Sequence, residues 1–309
     1  MRRTGVWISA VAAIAILGGV GLVGVGMMRG GDGGGVLPLA GTFPDAPSPT
    51  ASPTPTGPSP EELAAQRRAA QVKALNAALK KYAATVPEFS VAVLDRKTGR
   101  LYSFRGSERY ETASVVKVQV LACLLLTAQD NDRDLTATEL SLAKRMIRAS
   151  DNDATTALFS RLGRAPAISK CNKHLGLTQT TVASSWGLTK TTVNDQVKLL
   201  AKLVDKKGPL DAGSRDLAFD LMSTVDPDQD WGVPAVAKTG EEATVKNGWL
   251  PRSTEGNRWI INTVGRVTAD GDGDIDVSIA VLSHGHSSMP GGIKVVEKAA
   301  KMTRQYLKY

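Results

Sequence analysis

Apolar residues recur with helical spacing at the start of the globular sequence and then alternate as they do in strands. Leu63, Ala70, Leu75 and Leu79 fall on or near one face of a helix that we predict between residues 61 and 82. Two strands are predicted next, with the sequences FSVAVLD and LYSF. The turn RKTG joins them, and its glycine can adopt a positive φ. The globular sequence is therefore expected to begin with a helix and a β-hairpin.

A long helical stretch follows the hairpin. From Ala113 to about Met222 the pattern predicts helices and loops, including one helix capped by Thr136 with Glu139 three residues later. Three strands are predicted after it, around ATVKNGWL, RWIINTVGRV and DVSIAVLS, and then a helix over residues 291–307. This order predicts an α+β fold, in which N- and C-terminal helices flank an antiparallel sheet and an all-α subdomain is inserted.

The first residues of the chain have the composition of a targeting segment. Arg2 and Arg3 precede an uncharged apolar run from Val6 to Met28, longer than the roughly 18 residues that indicate a membrane-spanning helix. Positive residues ahead of such a run favour a cytoplasmic N-terminus and an extracytoplasmic remainder. We interpret residues 1–29 as a cytoplasmic tip and signal anchor, with a cleaved signal peptide as the alternative.

Two regions follow this segment. Residues 30–60 are rich in Gly and then in Pro, Ser and Thr, a composition that buries almost nothing and predicts an extended extracytoplasmic linker. Residues 61–309 are predicted to form the globular domain. The domain would be anchored to the cell membrane by the N-terminal helix, or secreted if the signal is cleaved.

Charge and composition exclude some classes of function. The chain has 309 residues and a formal net charge of +8, but its basic residues are interspersed with acidic ones and only 5% of residues are aromatic. Neither a basic run nor a stacking surface supports nucleic-acid binding, and an anionic membrane or envelope surface is a better partner. Cys123 and Cys171 are either paired, as export would allow, or two buried thiols.

A serine and a lysine lie at the start of an apolar helix. Ser114 and Lys117, in the stretch ETASVVKVQVLACLLL, are one helical turn apart and project from the same side. Burial lowers the pKa of a lysine, and a neutral amine beside a serine can accept its proton and make it a nucleophile. Backbone N–H groups at the helix start can also stabilise an oxyanion. On its own, the pattern is better explained by a capping serine and a solvated lysine.

Two further motifs follow in a defined order. The triplet Ser-Asp-Asn occupies residues 150–152, and a Lys-X-Gly triplet occurs at residues 238–240 and again at 246–248. S-x-x-K, S-D-N and K-T-G in this order are the signature of class A β-lactamases and penicillin-binding proteins. From about Glu61 onward the chain resembles this superfamily of serine hydrolases. The resemblance implies a β-lactamase/transpeptidase-like fold, which agrees with the predicted order of elements.

The resemblance also implies roles for individual residues. Ser114 would be acylated, and Lys117 would be its general base. Ser150 would pass a proton to the leaving nitrogen, and Asn152 would hydrogen-bond the substrate amide. The lysine of the third motif would direct positive charge toward the acyl donor. Asp151 has a structural interpretation, because a carboxylate at a helix start accepts hydrogen bonds from backbone N–H groups.

Two lysines compete for the third motif. If Lys238 held the position, residues 241–257 would form a hairpin loop despite their apolar stretch, whereas hairpin loops usually contain about two to five residues. With Lys246, the strand ATVKNGWL is followed by the turn PRSTEGN and the partner strand RWIINTVGRV. We therefore favour Lys246. Gly248 would then let substrate approach the backbone, and the N–H of Trp249 would become the second oxyanion donor.

Two departures from the family pattern affect the implied reaction. A class A β-lactamase carries a glutamate after the second motif that activates the deacylating water, but this chain has no acidic residue between Asp153 and Asp195. The segment around Trp186 also looks shortened, so we expect deacylation by water to be slow. Asn247 stands where the family has a hydroxyl residue that helps bind the substrate carboxylate, although an amide can still donate a hydrogen bond.

No cofactor or metal is predicted. The stretch TADGDGDID resembles the start of a calcium loop but lacks the closing glutamate, so we interpret it as a polar hairpin tip. His284 and His286 lack a third ligand nearby and are interpreted as loop residues.

Three functions are consistent with the sequence. The first is an envelope-facing serine hydrolase or acyltransferase that acts through Ser114 on D-alanyl peptides of peptidoglycan or related amides, and that β-lactams acylate with slow deacylation. The second is a β-lactamase with an unusual water activator. The third is a catalytically inactive cell-wall-binding or scaffold protein of the same fold, because a fold does not determine a function.

Overall fold

The structure is a computed structural model that describes residues 57–269 and 275–309. These residues form eight α-helices and seven β-strands. The helices are α1 (Pro60–Ala83), α2 (Val116–Gln129), α3 (Ala137–Arg148), α4 (Asn152–Arg161), α5 (Arg164–Leu175), α6 (Val193–Lys202), α7 (Ala212–Ser223) and α8 (Met289–Leu307). The strands are β1 (Phe89–Asp95), β2 (Arg100–Phe104), β3 (Tyr110–Glu111), β4 (Lys190–Thr191), β5 (Glu242–Arg252), β6 (Arg258–Ala269) and β7 (Ile275–Ser283).

Three sequence predictions fall on residues outside this description. They are the signal anchor, most of the linker, and the tip of the acidic hairpin at residues 270–274. In the described ranges, no helix combines the length and the apolar character needed to cross a membrane.

Five strands form one antiparallel sheet in the order β2-β1-β7-β6-β5. The first two strands form the predicted hairpin, and Gly99 in its turn has a φ of +67°. The insertion of the helical segment between β2 and β5 leaves β5 at an edge of the sheet, with β6 as its neighbour. The predicted α+β arrangement is thus confirmed, including the long hairpin between β5 and β6.

Helices cover both faces of the sheet. On one face, Leu75 and Leu79 of α1 and Val296 of α8 pack with the apolar side chains of β1 and β7. Helix α1 begins after a capping box in which Ser59 and Glu62 bond each other's backbone N–H groups. On the other face, the inserted helices form a second core with side chains such as Ala280 and Leu282 of β7. The sheet is therefore the middle of three layers.

Helix α2 is the centre of the inserted helical region. Of its 14 residues, only Thr127 and Gln129 are not buried, so the helix is enclosed on all sides, with Lys117 and Gln119 as its buried polar residues. Cys123 of α2 forms a disulfide with Cys171 of α5. Of the two alternatives for these cysteines, the structure has the paired one.

A small sheet that the sequence did not predict holds the segment before Ser114. Strands β3 and β4 pair antiparallel over two residues each, and the Thr112 N–H donates to the carbonyl of Thr189 at 2.8 Å. Such short strands carry too little alternation to be recognised from sequence. Their pairing fixes the loop before β4 beside the start of α2.

Candidate active site

Ser114 lies in a 3₁₀ turn, Ala113–Val115, directly ahead of α2. It is partly exposed, whereas the residues on either side of it are buried. Ala113 adopts a φ of +45°, a conformation that is uncommon for a residue with a side chain. The side chain of Asn262, from β6, donates to the carbonyls of Glu111 and Thr112 at 2.9 and 3.0 Å. The backbone ahead of the serine is therefore held in place from the sheet.

Lys117 is fully buried one turn into the helical segment. Its Nζ lies 2.5 Å from the Ser150 carbonyl oxygen, 3.0 Å from Ser150 Oγ and 2.9 Å from Asn152 Oδ1. Burial lowers the pKa of Lys117 to about 7, against an upward effect of the Asp151 carboxylate. A substantial neutral fraction of the amine is therefore present near neutral pH, as a general base requires.

Lys246, from β5, also contacts Ser150. Its Nζ lies 3.0 Å from Ser150 Oγ and 2.9 Å from the carbonyl of Asn247. Burial, reinforced by the neighbouring Lys117 amine, holds the pKa of Lys246 well below its usual range, while Asp228 acts in the opposite direction. Lys238 lies in an exposed turn before β5. The structure thus brings Lys246 to the other motif residues and leaves Lys238 outside them.

The Ser-Asp-Asn triplet forms the entry to α4. Ser150 has a φ of +56°, which directs both its carbonyl and its hydroxyl toward the two lysines. Asp151 is the N-cap of α4 and accepts from the Ala154 N–H at 2.9 Å, and Arg145 also contacts it. The hydrogen bond from Ala154 is the main reason that the pKa of Asp151 is lowered. Its role is the structural one that its position in the motif suggested.

The side chains of successive residues in β5 point to opposite faces of the sheet. A Cβ added at Gly248 would lie 2.8 Å from the backbone nitrogens of Ser114 and Val115, so the strand and the 3₁₀ turn are in direct backbone contact. Asn247 is buried and points the other way, where Nδ2 donates to the carbonyls of Gln229 and Trp231 at 2.7 and 2.9 Å. Both amide hydrogens are thereby used. A role for Asn247 in carboxylate binding stays a prediction, and this geometry argues against a direct hydrogen bond.

Ser114 opens into a cleft of about 410 Å³. The described residues that line it are Ala113, Ser114, Asn152, Ser185, Trp186, Gly187, Leu188, Trp249, Leu250 and Arg252. None of these is acidic, which agrees with the lack of a carboxylate in the loop sequence. The ring of Trp186 instead lies over Lys117, with its centroid 5.2 Å from Nζ, and its Nε1 donates to Thr156 Oγ1 at 3.2 Å.

We did not predict from the sequence that Asn262, Arg252 and Trp186 take part in the site. Asn262 is a buried amide within the apolar strand β6, and such an interruption is a signal that the sequence does contain. Arg252 lines the cleft. Its place in the sequence indicates this, because alternate residues of a strand share a face and Arg252 is an even number of residues from Lys246. The contact between Trp186 and Lys117 has no local signal, because it depends on how the loop before β4 folds back.

Solved structures of similar fold include class A β-lactamases and PBP-A. A mutant of the last common ancestor of Gram-negative bacteria (GNCA) β-lactamase class A has a TM-score of 0.64 and 19% identity, covering 77% of this chain and 99% of that one. PBP-A has a TM-score of 0.66 and 18% identity, covering 76% of this chain and 96% of that one. At such identities the likeness establishes the fold.

Sequence comparison gives closer relationships. Proteins named "Putative lipoprotein LppW" from Mycobacterium tuberculosis and Mycobacterium bovis are 30% identical over 169 residues, which are 52% of this chain and 54% of theirs. The chain thus spans about half the length of the curated relatives it matches. The family described as "Beta-lactamase enzyme family" matches residues 70–140 and 135–307, and therefore nearly the whole of the described chain. On this match and the shared fold, the chain belongs to the β-lactamase enzyme family of serine hydrolases.

Proposed function

We propose that this protein is a serine acyltransferase or hydrolase of D-alanyl peptides of peptidoglycan or related amides, and that β-lactams acylate it at Ser114. The observation that carries the proposal is that two buried lysine amines, those of Lys117 and Lys246, both contact the hydroxyl of Ser150. Lys117 and Lys246 each lie 3.0 Å from Ser150 Oγ, and Asn152, which also contacts Lys117, lines the cleft onto which Ser114 opens. Such clustering of displaced pKa values is typical of active sites.

The proposed acylation uses the position of Ser114 one helical turn ahead of Lys117. The neutral amine of Lys117 takes the proton of the Ser114 hydroxyl, and Oγ attacks the substrate carbonyl. The N–H groups of Ser114 and Trp249 are proposed to stabilise the oxyanion. When the C–N bond breaks, the proton passes through Ser150 to the leaving nitrogen. The free amine departs, and an ester remains on Ser114.

The lining of the cleft supports slow hydrolysis of that ester. Deacylation by water needs a base that removes a proton as water attacks. None of the described lining residues carries a carboxylate, and the Trp186 ring covers the Lys117 amine. An amine acceptor brings its own nucleophile and would resolve the ester more readily. The envelope-facing location is also part of the proposal, supported by the apolar N-terminal sequence and by relatives named as lipoproteins.

Intact mass spectrometry tests the proposal directly. The full chain, solubilised in detergent, is incubated with benzylpenicillin beside its Ser114→Ala variant, and the protein mass and the drug are followed over time. We expect a persistent adduct on the unmodified protein and none on the variant. If neither protein gains mass and the drug stays intact, the proposal is wrong and a binding or scaffold role takes its place.

A β-lactamase activity is the second candidate, favoured by one observation. Lys117, with its pKa lowered to about 7, is the kind of base that could activate water. Family membership is compatible with it. In the same experiment, β-lactamase activity would appear as consumption of the drug by many turnovers without a lasting adduct, in the unmodified protein alone.

A further inference from the structure

One face of β5 extends from Lys246, which contacts Ser150, to Arg252, which lines the cleft. The pairing of β5 with β6 is continuous from Glu242 to Arg252, so side chains alternate without a bulge. Lys246, Gly248, Leu250 and Arg252 therefore share one face. The first contacts Ser150 and the second lies against the backbone of the nucleophile, while Leu250 and Arg252 line the cleft.

Arg252 is the one charged side chain among the described residues that line this cleft. Its Nε lies 2.9 Å from Glu111 Oε2, and the two side chains are 21% and 16% exposed. This contact is ionic and lacks the alignment of a hydrogen bond. The contact with Glu111 is made by Nε, and the terminal nitrogens of Arg252 donate no hydrogen bond within the described residues. Arg252 is thus held from one side, while the fork of its guanidinium keeps its donors available.

The other cations of the site do not offer an equivalent group. Lys117 and Lys246 are buried, both are in contact with Ser150, and burial lowers the pKa of each. The amide of Asn247 faces the opposite side of β5, where two carbonyls use its hydrogens. An anionic group of a substrate in the cleft therefore has Arg252 as its available partner.

The position of Arg252 along the strand indicates which part of a substrate it would meet. In the proposed reaction, Ser150 passes the proton to the leaving nitrogen, and Lys246 contacts Ser150 from β5. Arg252 lies four residues beyond Gly248 in the opposite direction, a distance of about 13 Å along an extended strand. A group that reaches it must belong to the acyl part of the substrate, several bonds ahead of the reacting carbonyl.

We propose that Arg252 is a specificity residue that binds a carboxylate on the acyl portion of the substrate, with Glu111 as its positioning residue. The substrate class is then an acyl donor with an acidic group ahead of the scissile bond, such as a peptide with a free side-chain carboxylate. A planar fork of N–H donors matches a carboxylate in charge and shape. This inference rests on the proposed function, since it assigns the acyl side from the direction of the reaction.

A pair of substrates that differ in one group tests the proposal. Two acyl-D-alanyl thioesters are compared that are identical except for an acyl chain ending in a carboxylate or in its primary amide. The second-order rate constant of thiol release is measured for each. We expect the protein to prefer the carboxylate by about tenfold or more, as charge-assisted hydrogen bonds predict. Arg252→Gln should reduce this ratio toward one, and Arg252→Lys should give an intermediate ratio because it keeps the charge but not the fork.

Lys238→Gln is the matched control, because it removes one positive charge from an exposed turn outside the cleft. It should retain the preference for the carboxylate. Thermal unfolding of each variant shows whether it is folded, and the Lys variant gives the comparison if the Gln variant is not. An unchanged ratio in folded Arg252→Gln, or an equal loss of ratio in Lys238→Gln, would overturn the proposal.

An equilibrium measurement separates this inference from the reaction itself. Calorimetric binding of the corresponding unreactive peptides, with carboxylate or amide, is measured on Ser114→Ala and on Ser114→Ala with Arg252→Gln. We expect tighter binding of the carboxylate only where Arg252 is present. If the thioesters fail to acylate the protein, the proposed function is wrong, and binding alone then decides for or against Arg252. Equal binding of both peptides to Ser114→Ala would refute the inference even if acylation occurs.

Discussion

At the scale of single residues, the site depends on an amine that is deprotonated more easily than usual. A lysine in water has a pKa near 10.4 and would be almost entirely charged at neutral pH. The environment of Lys117 lowers this pKa to about 7, chiefly by removing the amine from water. The three contacts of Nζ with Ser150 and Asn152 hold it in one position. Burial thus gives Lys117 the pKa that the proposed general base needs, and Ser150 and Asn152 orient its amine.

The pH dependence of acylation follows from this pKa. Only the neutral amine can accept the Ser114 proton, and its fraction rises as the pH rises through the pKa. We expect the acylation rate to increase about tenfold per pH unit well below pH 7 and to level off above it. The rate of adduct formation with benzylpenicillin between pH 5 and 9 measures this.

The control is Lys117→Arg, which keeps the positive charge but cannot release it near neutral pH. We expect this variant to lose acylation by at least about 10²-fold, the range that general base catalysis supplies. A profile that is flat across pH 7, or an arginine variant as fast as the original, would show that Lys117 is not the base.

At the scale of elements, the site requires β5 to touch the start of α2. Their backbones are so close at Gly248 that an added methyl group would lie 2.8 Å from two backbone nitrogens. Backbone atoms cannot move aside as the end of a side chain can. The glycine of the third motif is therefore needed for this contact between strand and helix.

Gly248→Ala should destabilise the fold by about 1–3 kcal/mol, because the strand and the 3₁₀ turn must separate to admit the methyl group. Urea unfolding measures the loss. Gly213→Ala in the first turn of α7 is the matched control, since its methyl group would meet only Asp211 Oδ1 at 3.8 Å. Helix propensity makes that change neutral or stabilising by up to about 1 kcal/mol. Equal stabilities of the two variants would contradict the packing argument.

The sequence predicted the large elements because each carries its own periodic pattern. The three long strands have alternating or continuously apolar sequences, and α3 and α8 each have an apolar face. The spacing of apolar residues was therefore enough to predict these elements. The motif order led to Ser114, Lys117 and Ser150 as a candidate site. The direction of the Asn247 side chain was not predictable in this way. It depends on which side of β5 faces the helix start, and only the packed sheet determines that.

At the scale of the whole molecule, the candidate site lies at the boundary between two layers. Ser150 and Lys117 belong to the inserted helical region, whereas Lys246 comes from the edge of the sheet, 96 residues beyond Ser150. The contact between Lys246 and Ser150 forms only when the two layers are packed against each other. The stability of the whole fold therefore sets the geometry of the chemistry.

The disulfide between Cys123 and Cys171 contributes to that stability through the unfolded chain. It closes a loop with a sequence separation of 48, and loop-closure entropy at this length corresponds to at most about 4 kcal/mol. We expect replacement of both cysteines by alanine to lower the free energy of unfolding by up to this amount for the lost cross-link, plus the cost of the cavity that alanine leaves. Denaturant unfolding measures the loss. Unfolding of the unmodified protein with and without reductant separates the cross-link from the cavity that alanine leaves, and identical curves would rule out a contribution from the cross-link.

The stacking of Trp186 over Lys117 has a practical consequence. Of the five tryptophans in the sequence, Trp186 and Trp249 line the cleft, so an acyl group on Ser114 would change the surroundings of two indole rings at once. A protonated amine 5.2 Å from the Trp186 ring is also a potential quencher of its emission. Occupancy of the cleft and ionisation of the buried lysine should therefore both change the intrinsic fluorescence, so that the reaction can be followed optically without a label.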